Sequence, residues 1–292
     1  MMVPEFWAEA RAFRRLPGRK RVVRRFGWSN VSMTEAAAMA EARLAEALGQ
    51  LDSGAGIHGL EPKAAYNGAD GVPIREEIVS RHGEEVVTRN AYGALCLNSP
   101  RALFADVDFE RPGIGARLGS WIRGLFQAPQ PRIQDPSEGL SRQRIEAFLS
   151  RHPDWAVRLY RTPNGLRILA THRPFSSSDP EVAEFFDAVG CDPVYVRMCR
   201  NQRCFRARLT AKPWRAGIDF HIPPCRGVWP VRPENLPRRR EWVAEYGEAA
   251  ARHSACHWID SLGSGRIDPG LRPVVELHDS RSQALRTDLP LA

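Results

Sequence analysis

The chain has 292 residues, 43% of them hydrophobic and 26% charged, a composition typical of a globular protein with one large domain or two small ones. No apolar run approaches the roughly 18 residues that span a bilayer, and charged residues interrupt the N-terminal stretch where a signal peptide has its apolar core. We therefore expect a cytoplasmic protein with no membrane partner. The net charge of +8 favours nucleotides and nucleic acid as partners, although only three of the 42 basic residues are lysines and genome composition can account for part of the arginine excess.

Residues 1–30 form a basic N-terminal arm in the sequence, in which aromatic side chains alternate with a run of basic ones that no acid interrupts. Such an arm can contact phosphates. A solvated tail or the exposed face of a helix is the alternative. The basic residues are Arg11, Arg14, Arg15, Arg19, Lys20, Arg21, Arg24 and Arg25, and the aromatic ones are Phe13, Phe26 and Trp28.

Local signals predict four elements before residue 100. Ser32 and Glu35 have the spacing of a capping box and predict a helix that runs to residue 50. We predict a short helix over residues 74–82 and two strands between residues 86 and 97.

Residues 103–110 (LFADVDFE) alternate between apolar and mostly acidic side chains and predict a strand that is buried on one face. Asp106 and Asp108 then project from the other face with their Cα atoms about 6.5 Å apart. Two carboxylates this close repel each other unless a cation lies between them, and this geometry holds Mg²⁺ or Mn²⁺ against phosphates. A strand that ends in solvent-exposed acids is the alternative.

The middle of the chain contains an irregular insertion and then a clear hairpin. Residues 112–136 mix Gly, Pro and Gln and predict the insertion. Asn164 and Gly165 lie between two apolar runs and predict the hairpin turn. The predicted elements are a helix over 141–151, strands over 155–161 and 166–171, and a helix over 178–189.

A basic stretch and a second acidic strand follow. In a predicted strand over 204–210, Arg206 and Arg208 share the face that points away from the core, and Lys212 follows them. The run Arg197, Arg200, Arg203, Arg206, Arg208, Lys212 and Arg215 contains no acid and predicts an anion site that clamps a triphosphate; a solvated face is the alternative. In a predicted strand over 217–222, Asp219 and His221 share one face, so Asp219 could be a third metal ligand or part of a polar sheet edge.

Cysteine spacing leaves a zinc site as a less favoured alternative. Cys199-x4-Cys204 and His221-x3-Cys225 have spacings near those of zinc modules. Cys204 and His221 lie inside predicted strands, however, where they need not converge, so we expect buried free thiols. Residues 233–292 predict a helical extension packed on the core, with one long helix over residues 239–262.

The order of these motifs is similar to that of the archaeo-eukaryotic primase superfamily. The strand LFADVD, the hairpin TPNGLRIL at 162–169 and the later ID at 218–219 match its three motifs, and the hairpin resembles the TPSGGxHLYF run of the primase-polymerase branch. The resemblance covers residues 103–222 and implies an RRM-like sheet. We therefore predict an α/β catalytic domain over residues 31–232, with a mixed or antiparallel sheet flanked by helices. It implies that Asp106, Asp108 and Asp219 hold the catalytic metals and that Asn164 and Gly165 are the small turn positions.

Arg167 stands where the primase-polymerase motif has a histidine that contacts the incoming nucleotide. Arginine binds phosphate but cannot shuttle a proton near neutral pH, so Arg167 either takes over the contact or marks a changed function, and His221 is a candidate to compensate. The leading hypothesis is a metal-dependent nucleotidyltransferase in which Arg206, Arg208 and Lys212 bind the triphosphate. The alternatives are a non-catalytic nucleotide-binding or nucleic-acid-binding protein and a metal-dependent phosphohydrolase. The sequence predicts no oligomeric state.

Overall fold

The computed structural model describes residues 1–16, 19–53, 73–109, 136–219 and 229–292 as a mixed α/β protein with antiparallel sheets. The strands are β1 (Phe6–Leu16), β2 (Arg19–Ser29), β3 (Glu77–His82), β4 (Glu85–Arg89), β5 (Leu95–Ser99), β6 (Phe104–Asp108), β7 (Ala156–Thr162), β8 (Gly165–Ala170), β9 (Phe205–Arg208) and β10 (His257–Gly263). The helices are α1 (Met33–Asp52), α2 (Pro136–Arg151), α3 (Pro180–Val189), α4 (Pro193–Gln202), α5 (Leu236–Ala251) and α6 (Arg272–Ser282). No helix in these ranges is long and apolar enough to cross a membrane.

The basic N-terminal segment is a two-stranded β-ribbon rather than a tail or a helix. Strands β1 and β2 pair along their whole length, and α1 packs on one face of the ribbon. The approach is close at Gly27, where a Cβ atom would lie 2.2 Å from the backbone oxygen of Ala36. The predicted N-terminal cap of α1 is confirmed, because Ser32 accepts a hydrogen bond from the backbone N–H of Glu35.

The first large sheet has the strand order β10-β7-β8-β6 and contains the predicted acidic strand and hairpin. Both predictions are confirmed, and the register places Asp106 of β6 directly opposite Arg167 of β8. The prediction of one helix over residues 239–262 is wrong, since α5 ends at Ala251 and β10 pairs with β7. Pairing with the open edge of β7 satisfies backbone groups of β10, and Trp258 and Ile259 favour a strand.

The second large sheet has the order β3-β4-β5-β9. The two strands predicted between residues 86 and 97 correspond to β4 and β5, and the strand predicted at 204–210 to β9. The short helix predicted over residues 74–82 is wrong, because this segment contains β3. Gly83 has a φ of +65° and allows the two-residue turn that pairs His82 with Glu85.

The two large sheets meet at β6 and β9. Tyr195 on α4 donates its hydroxyl proton to the carbonyl of Phe104 at 3.0 Å and accepts from the backbone N–H of Arg206 at 3.2 Å. The helix predicted over 141–151 is confirmed within α2, and the one predicted over 178–189 is confirmed from Pro180 onward as α3, whereas α4 was not predicted. Residues 217–219 are not in a strand, and the remainder of the predicted strand lies outside the described residues, as do residues 112–135 of the insertion.

Candidate functional site

A cleft of about 640 Å³ opens between the β-ribbon, α4 and the neighbouring ends of β6, β8 and β9. Its volume is that of an ordinary ligand-binding site, for which the usual range is about 300–1,000 Å³. Seven of the side chains that the sequence singles out line it: Asp106, Asp108, Asn164, Arg167, Arg206, Arg208 and Lys212. The acidic strand, the hairpin turn and the basic stretch, which are far apart in sequence, therefore meet at one surface.

The other three predicted residues have different positions. Gly165 is buried at the start of β8, directly against the backbone of β6. Asp219 is exposed and is not among the described residues that line the cleft, and its carbonyl accepts a hydrogen bond from the indole N–H of Trp242 at 2.8 Å. His221 lies outside the described residues.

Arg167 and Asp106 form a two-point ion pair on the cleft wall. The Arg167 Nε atom is 2.9 Å from Oδ1 of Asp106, and Nη2 is 3.4 Å from Oδ2. The Arg167 Nη1 group also donates to the carbonyl of Arg208 at 2.8 Å. Burial alone would lower the pKa of the Arg167 guanidinium, but the Asp106 carboxylate raises it, so the side chain is a permanent cation. Arg167 thus neutralises the first of the two predicted metal-binding carboxylates.

Arg206 is also paired inside the protein, which alternation along β9 alone did not predict. Its Nη2 atom lies 2.5 Å from Oε2 of Glu76, and Glu76 also accepts the hydroxyl proton of Thr88. Burial opposes the charged form of Arg206, yet Glu76 raises the pKa of the guanidinium well above its usual range. The face of β9 that was predicted to be exposed is therefore buried at Arg206, and the charge of this arginine is compensated within the protein.

A surplus of positive charge remains at the cleft. Its described lining contains the basic residues Arg43, Arg75, Arg167, Arg206, Arg208, Lys212 and Arg215 and the acids Glu76, Asp106, Asp108 and Asp192. Arg208, Lys212 and Arg215 are half-buried, and Arg215 donates to the side-chain oxygen of Asn164 at 2.8 Å. Partly desolvated cations interact strongly with phosphate groups.

The ribbon supplies an aromatic wall that the sequence did not assign to this site. Trp7 and Trp28 lie opposite each other on the two strands, with ring centroids 5.5 Å apart. The guanidinium of Arg75 lies 3.8 Å above the ring of Phe26, and that of Arg43 lies 5.0 Å above Trp28. Aromatic residues interleaved with the N-terminal basic run were the available signal, but strand pairing was needed to place them at the cleft.

The described carboxylates do not form a complete metal site. Within these residues no group of three or more His, Cys, Asp or Glu side chains could hold a metal ion. Asp106 and Asp108 share the cleft-facing side of β6, but Asp106 is paired with Arg167. A third carboxylate in the lining, Asp192, caps α4 by accepting the backbone N–H of Val194 at 2.9 Å.

The expectation of free thiols holds for the described cysteines. Cys96, Cys191, Cys199, Cys204 and Cys256 are buried and free, whereas Cys225 lies outside the described residues. Burial raises the pKa of the Cys204 thiol to about 12, so this side chain is a neutral thiol.

We expect Gly165→Ala to lower the free energy of unfolding by about 3 kcal/mol. The added methyl group would meet backbone atoms of β6, which cannot move aside as a flexible side chain could. The new Cβ atom would lie 2.0 Å from the carbonyl oxygen of Val107 and 2.9 Å from Cα of Asp108. Urea unfolding measures the loss. Gly247→Ala in α5 is the control, since a Cβ there meets nothing within 4 Å and should raise stability by about 0.5–1 kcal/mol. Equal stability of the Gly165 variant and the wild type would contradict the expectation.

Comparisons with protein-family models, curated proteins and solved structures find no match to this chain. A function therefore has to come from the cleft and the residues around it.

Proposed function

We propose that the chain binds nucleotides in the cleft and that its physiological partner is nucleic acid. The observation that carries this proposal is the meeting of seven predicted site residues at one cleft with more basic than acidic side chains. Arg208, Lys212 and Arg215 would bind the phosphates, and the aromatic wall would contact the base. In this proposal residues 31–232 are an RRM-like, primase-polymerase-like domain whose Arg167 replaces the nucleotide-contacting histidine.

The ion pair between Asp106 and Arg167 favours nucleotide binding without catalysis over nucleotidyl transfer. A carboxylate whose two oxygens both accept from a buried guanidinium is a poorer ligand for a divalent cation, because the cation must displace or share that positive charge. Arg167 already places a buried positive charge beside this carboxylate. The described donors do not by themselves fit a two-metal site, so we derive no catalytic step through a metal.

Metal-dependent nucleotidyl transfer is the second candidate, and Asp108 is the observation that favours it. This exposed carboxylate lines the cleft two residues after Asp106, on the same face of β6. Mg²⁺ or Mn²⁺ held there would neutralise a triphosphate. A phosphohydrolase would use the same acids with water as the nucleophile.

The first experiment measures binding of a fluorescent nucleoside triphosphate. Lys212→Ala and Arg215→Ala should each weaken binding by about 1–2 kcal/mol, or roughly 5–30-fold, since each removes a charged contact to phosphate. Arg281→Ala on α6 is the matched control, because Arg281 is exposed and does not line the cleft. If Lys212→Ala and Arg215→Ala both bind like the wild type, the cleft is not the nucleotide site.

The second experiment separates binding from catalysis. Wild type and Asp108→Asn are incubated with Mg²⁺ or Mn²⁺, nucleotides and a primed template. Primer extension by the wild type that disappears in the variant would establish the transferase, and nucleotide hydrolysis without a template would establish the hydrolase. Nucleotide binding with neither reaction supports the non-catalytic proposal.

A further inference from the structure

The face of the β-ribbon opposite α1 runs from buried aromatic side chains at the cleft to exposed ones farther along the strands. Helix α1 packs on the face that contains Ala8, Ala10, Ala12 and Val23. Because side chains alternate along a strand, the opposite face carries the cross-strand pairs Trp7 with Trp28, Glu9 with Phe26, Arg11 with Arg24 and Phe13 with Val22. We call this the outer ribbon face.

The outer ribbon face continues the cleft. Its inner part, with Trp7, Phe26 and Trp28, lines the cleft. Farther along the strands it reaches solvent, where Phe13 is 68% and Val22 is 48% exposed. Phe13 is six positions after Trp7 on β1, so the face extends about 20 Å from Trp7 in the cleft to the exposed ring of Phe13.

The outer ribbon face carries two like charges side by side, whereas its acid, Glu9, pairs with Arg232 at 3.4 Å. Arg11 and Arg24 are exposed and lie directly opposite each other, and neither forms an ion pair with a described carboxylate. Like charges in such a position destabilise the strand pair. Arg14, by contrast, lies 3.4 Å from Asp52 of α1. An anion bound over Arg11 and Arg24 would relieve their repulsion.

We propose that the outer ribbon face binds a single-stranded polynucleotide whose end lies in the cleft. The inference rests on the proposed nucleotide-binding function and extends it to a longer ligand. Arg11 and Arg24 contact phosphates, and the exposed ring of Phe13 stacks on a base, which is how non-specific single-strand sites combine charge with aromatic surface. About 20 Å accommodates roughly six nucleotides of a stacked strand, since phosphates along one strand are about 3.4 Å apart.

The experiment measures fluorescence anisotropy with labelled oligothymidylates of 3 and 12 nucleotides and with the fluorescent triphosphate. Wild type should bind the 12-mer more tightly than the 3-mer. Arg11→Gln/Arg24→Gln should lose this gain without a change in triphosphate affinity. The slope of log affinity against log salt for the 12-mer should fall in magnitude by about 1.4, because each phosphate contact to a single strand contributes about 0.7.

Two further variants make the result specific. Arg252→Gln/Arg281→Gln removes the same charge at exposed positions outside the cleft and should bind every probe like the wild type. Phe13→Ala should weaken 12-mer binding about tenfold, as expected for loss of one stacked base. Far-UV circular dichroism checks that each variant is folded.

Each remaining outcome has a defined meaning. The inference is overturned if Arg11→Gln/Arg24→Gln binds the 12-mer like the wild type, or if the wild type binds the 3-mer and the 12-mer equally. In either case the proposal for the cleft stands. If a 12-base-pair duplex binds more tightly than the single strand, the occupant is a duplex and the inference is also overturned. If the wild type binds neither the triphosphate nor an oligonucleotide, the proposed function itself fails.

Discussion

Asp106→Ala is expected to lower the free energy of unfolding by about 4 kcal/mol, and Arg167→Met by about 2 kcal/mol. The difference follows from burial, because the Arg167 side chain is 3% exposed whereas that of Asp106 is 33% exposed. Removing Asp106 leaves a buried cation without its counter-charge. Removing Arg167 leaves a carboxylate that water can still reach, together with the carbonyl of Arg208 that loses a donor.

Urea unfolding of both single variants and of Asp106→Ala/Arg167→Met measures these free energies of unfolding. The double variant should be more stable than Asp106→Ala alone, since it contains no isolated buried charge. If the two losses simply add, or if Arg167→Met is the less stable single variant, the pair is not coupled as described. Because substitution of Asp106 is expected to destabilise the protein, Asp108 is the better residue at which to test catalysis.

Glu76→Ala is the second variant with a large expected effect, a loss of about 3–5 kcal/mol. The side chains of Glu76 and Arg206 are 13% and 10% exposed, so the arginine would remain buried without its partner. The pair joins the segment before β3 to β9, and the hydroxyl of Thr88 on β4 would lose its acceptor as well.

Glu84→Ala is the matched control for this variant. Glu84 is 68% exposed and lies 3.5 Å from Arg101, an exposed geometry typically worth less than about 1 kcal/mol. Glu76→Ala/Arg206→Met should recover part of the lost stability. A loss for Glu76→Ala no larger than that of the control would show that the buried pair contributes nothing beyond a surface contact.

The parts of the fold that depend on residues close together in the sequence could be predicted. Alternation identified the strand with Asp106 and Asp108, and Asn164-Gly165 identified the hairpin, because both signals are complete within a few residues. Helix α4 was not predicted, although Asp192 and Pro193 form a helix start signal. The basic residues of this segment were interpreted as an anion site instead.

Long-range pairing was not predictable in this way. The N-terminal basic run is compatible with a tail, a helix or a ribbon, and only the register between β1 and β2 brings Trp7 next to Trp28. Alternation placed Arg206 on a solvent-facing side of β9, but its partner Glu76 is 130 residues away and arrives with β3. Seven of the residues singled out from the sequence nevertheless line one cleft, because each belongs to a short motif with its own chemistry.

The hydrogen bonds that join the two large sheets determine how much of the cleft a ligand has to rearrange when it binds. Tyr195 links β6 to β9, and Arg167 on β8 reaches the carbonyl of Arg208 on β9, so both sides of the cleft floor are joined by buried hydrogen bonds. The conformational entropy of ordering this floor is lost during folding rather than on ligand binding. The cleft is thus preorganised, and its affinity for a ligand depends on the contacts made rather than on the formation of the surface that makes them.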